Sequence, residues 1–161
     1  MVKDLLQSTR PINPSTREVD LSTWCQSFQS AFQTANPDVS LKIDLPEQRL
    51  INTDPDLLQR VLWNLSLNAV QAGEKLITIL MNSTQPDLSI KVIDGGPGIP
   101  EDILGNLFVP GNTNRPEGSG MGLYNCHRVT SALGGTLEVK SGNAGTTFHI
   151  KVPLKGGENN K

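Results

Sequence analysis

No run of apolar residues in this 161-residue chain approaches the roughly 20 needed to cross a bilayer, and its first residues carry no signal-peptide pattern. A cytoplasmic location is therefore expected. Aromatic residues supply only 4% of the chain. Lys and Arg number 14 against 16 Asp and Glu, a formal net charge of −2, and nowhere form a basic block. Without that footprint, neither nucleic acid nor direct membrane contact is expected. Cysteine is scarce. Cys25 and Cys126 lie 101 positions apart and form no CxxC, which points to reduced thiols. A GxxxxGK[ST] phosphate loop is also missing.

What is present is a soluble globular balance, 36% hydrophobic and 19% charged, in a chain of one ordinary domain's length. Residues 1–10 read as the last turns of a helix, stopped by Pro11, and the polar stretch 11–18 reads as a linker. Asp20 or Ser22 can cap a helix over about 22–35, where Trp24, Phe28 and Phe32 recur at four-residue spacing. SLKIDL at 40–45 alternates as a half-buried strand does, and a short strand follows near 50–52. Asp54-Pro55 opens a helix that runs to about Ala72 and stops at Gly73. Strands are expected at 75–82 and 88–94. A long irregular loop rich in glycine and proline then runs from Gly95 to Gly120, and loops of that length are usually functional. A helix over 121–133 and a hairpin, 136–141 and 146–153, complete the chain. Short links between paired strands favour an α+β fold. The sheet should be mixed and mostly antiparallel, with helices on one face.

Four short patterns carry chemistry. On the helix at 55–72, Leu58, Leu62, Leu65 and Ala69 form an apolar stripe, and Arg60, Asn64, Asn68 and Gln71 form a polar one. Asn64 and Asn68, one turn apart at the buried boundary, either satisfy neighbouring backbone groups or offer hard oxygen ligands for Mg²⁺. An apolar strand ends in Asp94-Gly95-Gly96-Pro97-Gly98. This is either a tight turn, or a carboxylate that can accept an amino group beside glycines that admit a ligand to the backbone. Gly118-Ser119-Gly120-Met121-Gly122-Leu123 opens a helix whose free amides suit phosphate, or is simply a hinge. Gly145-Thr146 leads into the last strand, where the threonine is either a strand former or a hydrogen-bonding partner for a heterocycle.

In this order, with Phe108 in the intervening loop, the four patterns resemble the catalytic ATP-binding domain of sensor histidine kinases. That domain has the Bergerat fold of the GHKL superfamily, shared with gyrase, the MutL proteins and a heat-shock chaperone. The resemblance covers about 18–155. It implies an α/β sandwich of about five strands with about three helices on one face. It further implies that residues 1–17 are the remnant of a dimerisation helix and linker, and that 156–161 is a polar tail. By the same resemblance Asn68 is the Mg²⁺ ligand, Asn64 positions the reacting groups, and Asp94 receives the adenine amino group. Gly96 and Gly98 let the adenine approach, Thr146 sits near it, and Phe108 belongs to the lid. Gly118, Gly120, Met121, Gly122 and Leu123 lie on the phosphate side. Arg115 keeps a positive charge that can meet the γ-phosphate.

The implied function is transfer of the ATP γ-phosphoryl group, with Mg²⁺, to a histidine on the dimerisation and phosphotransfer domain of the same kinase. A response regulator is the further partner, and the isolated domain is expected to be monomeric. Membrane anchoring of a longer protein is left open. No phosphoacceptor box is present: neither His127 nor His149 has an acidic successor, so both read as structural. The lid departs from the closest pattern by standing Gly111-Asn112 where a second phenylalanine is usual. Three rivals follow from the same patterns. A gyrase-type ATPase would need a Glu where Asn64 stands. An anti-sigma-factor-type serine kinase would use the same pocket on a protein serine. A degenerate domain would bind nucleotide and regulate without catalysis.

Overall fold

The computed structural model describes residues 12–47, 49–84, 86–99 and 122–154. The expectations for the first helix, for Phe108, Arg115, Gly118, Gly120 and Met121, and for the tail at 156–161 lie outside these residues.

The described chain opens with β1 (Arg17–Asp20), whose last residue caps α1 (Leu21–Ala35) by accepting a hydrogen bond from the Ser22 amide at 2.9 Å. The helix begins one residue earlier than expected because Asp20, rather than Ser22, is its cap. Leu21, Cys25, Phe28 and Phe32 lie on its buried stripe. After Asn36 the chain turns back into β2 (Ser40–Asp44) and then β3 (Leu50–Thr53). Asp54 caps α2 (Pro55–Gln71), with proline at its first position. Next come β4 (Leu76–Thr84), β5 (Asp87–Asp94), α3 (Gly122–Ala132) and the hairpin β6 (Thr136–Gly142) and β7 (Gly145–Pro153).

The fold is α+β. Five strands form a mixed sheet in the order β2-β4-β5-β7-β6, parallel only between β2 and β4. The short strand foreseen near 50–52 is not part of it. As β3 it pairs antiparallel with β1 in a separate two-stranded ribbon, Arg17 opposite Thr53 and Asp20 opposite Leu50. Residues 17 and 18, read from sequence as linker, are therefore strand. One apolar residue among four, Val19, gives little local signal, and the pairing itself supplies the structure.

The sheet's two faces differ. Toward the helices it presents Leu41, Ile77, Ile79, Met81, Leu88, Ile90, Val92, Leu137, Phe148, Ile150 and Val152, all buried. Each large apolar side chain so placed contributes about 1.5–3 kcal/mol. The helices add Leu58, Val61, Leu62, Leu65, Ala69 and Val129, and the turn after α3 adds Leu133. The Trp63 ring meets Phe32 edge-on at 4.9 Å, joining α2 to α1. At the sheet edge, Gln33 Oε1 accepts the Leu41 amide and Gln29 Nε2 donates to the Leu41 carbonyl. Both backbone groups of this edge residue are thereby satisfied by side chains of α1. The outer face carries Lys42, Lys91, Glu138, Lys140, His149 and Lys151, alternating with the core residues. No described helix is long and apolar enough to cross a membrane.

Asp54 does more than cap α2. Its Oδ1 accepts the amides of Asp56 and Leu57, both at 3.1 Å, and its Oδ2 accepts the amide of Ser15 at 2.7 Å. The carboxylate is buried, 6% exposed, so water cannot replace these partners. Asp54→Ala is expected to cost about 2 kcal/mol, read as a lowered urea midpoint with unchanged slope. A loss below about 0.5 kcal/mol would show that the three bonds are redundant.

Candidate functional site

On the helix-facing side of the sheet one row of register partners runs Leu41, Ile77, Asp94, Thr146, Ser141. Its first two members are buried and apolar, and its last three are polar. Sheet pairing thus sets a carboxylate beside two hydroxyls at the C-terminal end of β5, where the core gives way to a polar edge. Thr146 is only 5% exposed.

The Asp94 side chain turns back on its own loop. Its Oδ1 accepts the Gly96 amide at 2.9 Å, which leaves Oδ2 with no partner among the described residues. Two glycines are required here by close approach. A Cβ at Gly145 would lie 2.1 Å from the Asp94 carbonyl oxygen, and one at Gly98 would lie 2.5 Å from that of Gly142. Both also have positive φ, +125° and +89°. The segment 95–99 consequently lies directly on the turn of the β6–β7 hairpin. There the Ser141 hydroxyl accepts the Ile99 amide at 2.7 Å and shares a hydrogen bond with the Thr146 hydroxyl at 2.9 Å.

The helix α2 packs against β5 and α3. Its leucine stripe is buried as expected, and Asn64 and Asn68 are half-buried at the margin. After α2 the chain folds back, the Glu74 amide bonding to the Ala69 carbonyl at 3.0 Å. The Glu74 carboxylate then lies over Gly96: a Cβ there would be 2.5 Å from its Oε2 and 3.1 Å from Asp94 Oδ1. The last turn of α2, through the carbonyl of Ala69 one residue beyond Asn68, is in this way brought to the Asp94 loop. Toward the other end of α2 a cavity of about 460 Å³ is lined, among the described residues, by Asp56, Gln59, Arg60, Trp63 and Asn64. Asn64 thus lines this cavity together with Arg60.

On α3, Gly122 stands at the first described position and Leu123 is half-buried against the core. Cys126 Sγ reaches the Val61 carbonyl at 3.7 Å, tying α3 to α2. Burial pushes this thiol up to about 12, while a hydrogen bond with the Asn64 side chain pulls the other way. Burial likewise raises Cys25 to about 12 against the opposing influence of Arg49. Both thiols therefore remain protonated at neutral pH. Among the described residues no three His, Cys, Asp or Glu side chains gather as a metal-holding group.

Sequence reasoning missed Ser141 and Glu74. Ser141 was recoverable: if the hairpin turns between 142 and 145, residue 141 must face residue 146. Glu74 belongs to no pattern, and its placement depends on how the chain leaves α2.

The fold is that of an α+β domain with a mixed five-stranded sheet, and similarity to known proteins places it in a family. Residues 53–156 match the model of the histidine kinase-, DNA gyrase B- and HSP90-like ATPase family, and the chain belongs to that family. The sensor histidine kinase ZraS of Escherichia coli K12 is 36% identical over 163 residues, covering 96% of this chain and 34% of that protein. The chain therefore spans about a third of that relative's length. Full-length ShkA, solved in complex with AMPPNP, superposes with a TM-score of 0.79 at 22% identity, covering 95% of this chain and 35% of that one. The histidine kinase ThkA, solved with the response regulator TrrA, gives 0.78 at 22% identity, covering 96% of this chain and 46% of that one. At that identity the two structures share the fold.

His149 lies on the opposite face of the sheet, its Nε2 2.7 Å from the Ser89 hydroxyl. Partial burial depresses its pKa below the usual 6.5, and Lys91 and Lys151 push it the same way. The unfolded chain therefore takes up this proton more readily than the folded one. The resulting stability is present above pH 6.5 and lost as the pH falls through the folded value. An NMR titration should place the His149 midpoint below 6.5, and Lys91→Gln should move it upward. A midpoint at or above 6.5 would contradict the assignment.

Proposed function

We propose that this chain is the ATP-binding catalytic domain of a two-component sensor histidine kinase. In this reading it transfers the γ-phosphoryl group of ATP to a histidine on a dimerisation domain outside the sequence. The observation that carries the reading is the polar end of the sheet row, Asp94 beside Thr146, next to a helix bearing Asn64 and Asn68. Family membership, and the naming of ZraS as a sensor histidine kinase, support it.

In this reading Asp94 Oδ2 accepts the amino group of adenine and Thr146 hydrogen-bonds the same ring. Gly96 and Gly98 let the loop beside the base pack closely, Gly98 against the Gly142 carbonyl and Gly96 beneath the Glu74 carboxylate. A carboxylate that accepts from an amino group discriminates strongly against bases that lack one, because a buried polar group left unpaired is penalised. Asn68 offers a neutral amide oxygen. That suits Mg²⁺, which is held by one or two protein ligands together with substrate phosphates, so the absence of an acidic cluster among the described residues is compatible with it. When bound, Mg²⁺ would neutralise charge on the phosphoryl oxygens. Asn64 orients the reacting groups and, lacking a carboxylate, cannot deprotonate a water, which favours transfer over hydrolysis. Phe108, Arg115, Gly118, Gly120, Met121, Gly122 and Leu123 complete the lid and phosphate side in this proposal. Catalysis is then chiefly positioning and electrostatics.

The acceptor histidine belongs to a separate domain. Residues 1–17 lead from that domain, 18–155 bind nucleotide, and 156–161 form a tail. A response regulator receives the phosphoryl group afterwards. The domain works in the cytoplasm as a monomer when isolated.

Titration calorimetry with ADP and Mg²⁺ tests this reading. The wild-type chain should bind, and Asp94→Asn should weaken binding about ten- to hundredfold. Incubated with labelled ATP, the 161 residues should not label themselves but should label a supplied histidine-bearing dimerisation domain. Absence of ADP binding, or strong self-labelling, would overturn it.

A further inference from the structure

The hydroxyl of Ser141 occupies a junction that none of the four sequence patterns includes. It accepts the Ile99 amide at 2.7 Å, and Ile99 closes the glycine-rich segment that follows Asp94. It lies 2.9 Å from the hydroxyl of Thr146, which the pairing of β5 with β7 sets opposite Asp94. Glycines at 98 and 145 remove the side chains that would separate hairpin from loop. Ser141 therefore connects the two strands of the candidate nucleobase end and the loop between Asp94 and Ile99.

A serine hydroxyl has one hydrogen to give and lone pairs to accept with. With the Ile99 N–H already directed at its oxygen, the arrangement that uses every hydrogen has Ser141 donating to Thr146. Thr146 then keeps its own hydrogen for an acceptor outside the sheet. Thr146 is 5% exposed, so solvent cannot readily supply a substitute partner if Ser141 is lost. A chain of hydrogen bonds of this kind also polarises each member.

We infer that Ser141 is a positioning residue for adenine-nucleotide recognition: it fixes the Thr146 hydroxyl so that its hydrogen meets a ring nitrogen of the base, and pins the Asp94 loop at Ile99. The inference rests on the nucleotide-binding reading above. It assigns no contact between Ser141 and the nucleotide itself.

The test compares Ser141→Val with Ser141→Thr, two β-branched side chains of the same shape that suit a strand and differ only in the hydroxyl. Thermal melts verify that both fold. Affinities for ADP and for inosine diphosphate, which bears a ring carbonyl where ADP bears the amino group, are then measured by calorimetry with Mg²⁺. Wild type and Ser141→Thr should agree within about threefold and prefer ADP. Ser141→Val should bind ADP about five- to tenfold more weakly, with a reduced preference over inosine diphosphate. Equal weakening in both variants, or an unchanged affinity and preference in Ser141→Val, would overturn the assignment while leaving the nucleotide reading intact. Failure of the wild-type chain to bind ADP would remove the reading and the assignment together. If Ser141→Val does not fold, Ser141→Ala takes its place with the same expectations.

Discussion

The antiparallel register of β5 against β7 sets Ile90 against Ile150, Val92 against Phe148 and Asp94 against Thr146. Because side chains alternate strictly between faces, the buried residues of both strands fix that register, and the polar pair at the end follows from it. A slip of one residue would turn Phe148 and Ile150 to solvent and bring His149 and Lys151 into the core. Burial of Phe148 and Ile150, each 1% exposed, makes that slip costly by several kcal/mol. Asp94 and Thr146 are thus held together by the packing of other residues rather than by attraction to each other.

The helical side of the molecule works by the same division of labour. The stripe of α2 that includes Leu58, Leu62, Leu65 and Ala69 is spent on the core, and the cap at Asp54 fixes where the helix starts. Asn64 and Asn68 then fall at the margin by helical spacing alone. The neighbouring α3 is tied to α2 by Cys126, and the fold-back at Glu74 joins the far end of α2 to the Asp94 loop. Neutral amides on a rigid helix and a carboxylate on a strand end are a pairing of elements that a short motif could not position unaided.

Much of this was legible in the chain. Asp54-Pro55 announced a helix start, alternation announced β2, and the strands expected at 75–82, 88–94, 136–141 and 146–153 fall within two residues of β4, β5, β6 and β7. The pairing of β1 with β3 was not legible, because Arg17-Glu18-Val19-Asp20 holds one apolar residue and follows a proline-containing stretch. Its strand conformation is imposed by its partner. The order of the patterns around Asn64, Asn68, Asp94 and Thr146 identified the family, whereas nothing in a lone serine at 141 or a glutamate at 74 signals a role. Those two acquire meaning only through register and through the path of the chain after α2. The cavity beside Asn64 was equally invisible, since it is shaped by Trp63 being held edge-on against Phe32.

Asp54 has a mechanical implication. One carboxylate holds both the amide of Ser15 and the first turn of α2, and β1 just beyond is zipped to the strand that ends at Thr53. A tug or twist entering along the chain before residue 15 is therefore geared to the rod that carries both carboxamides.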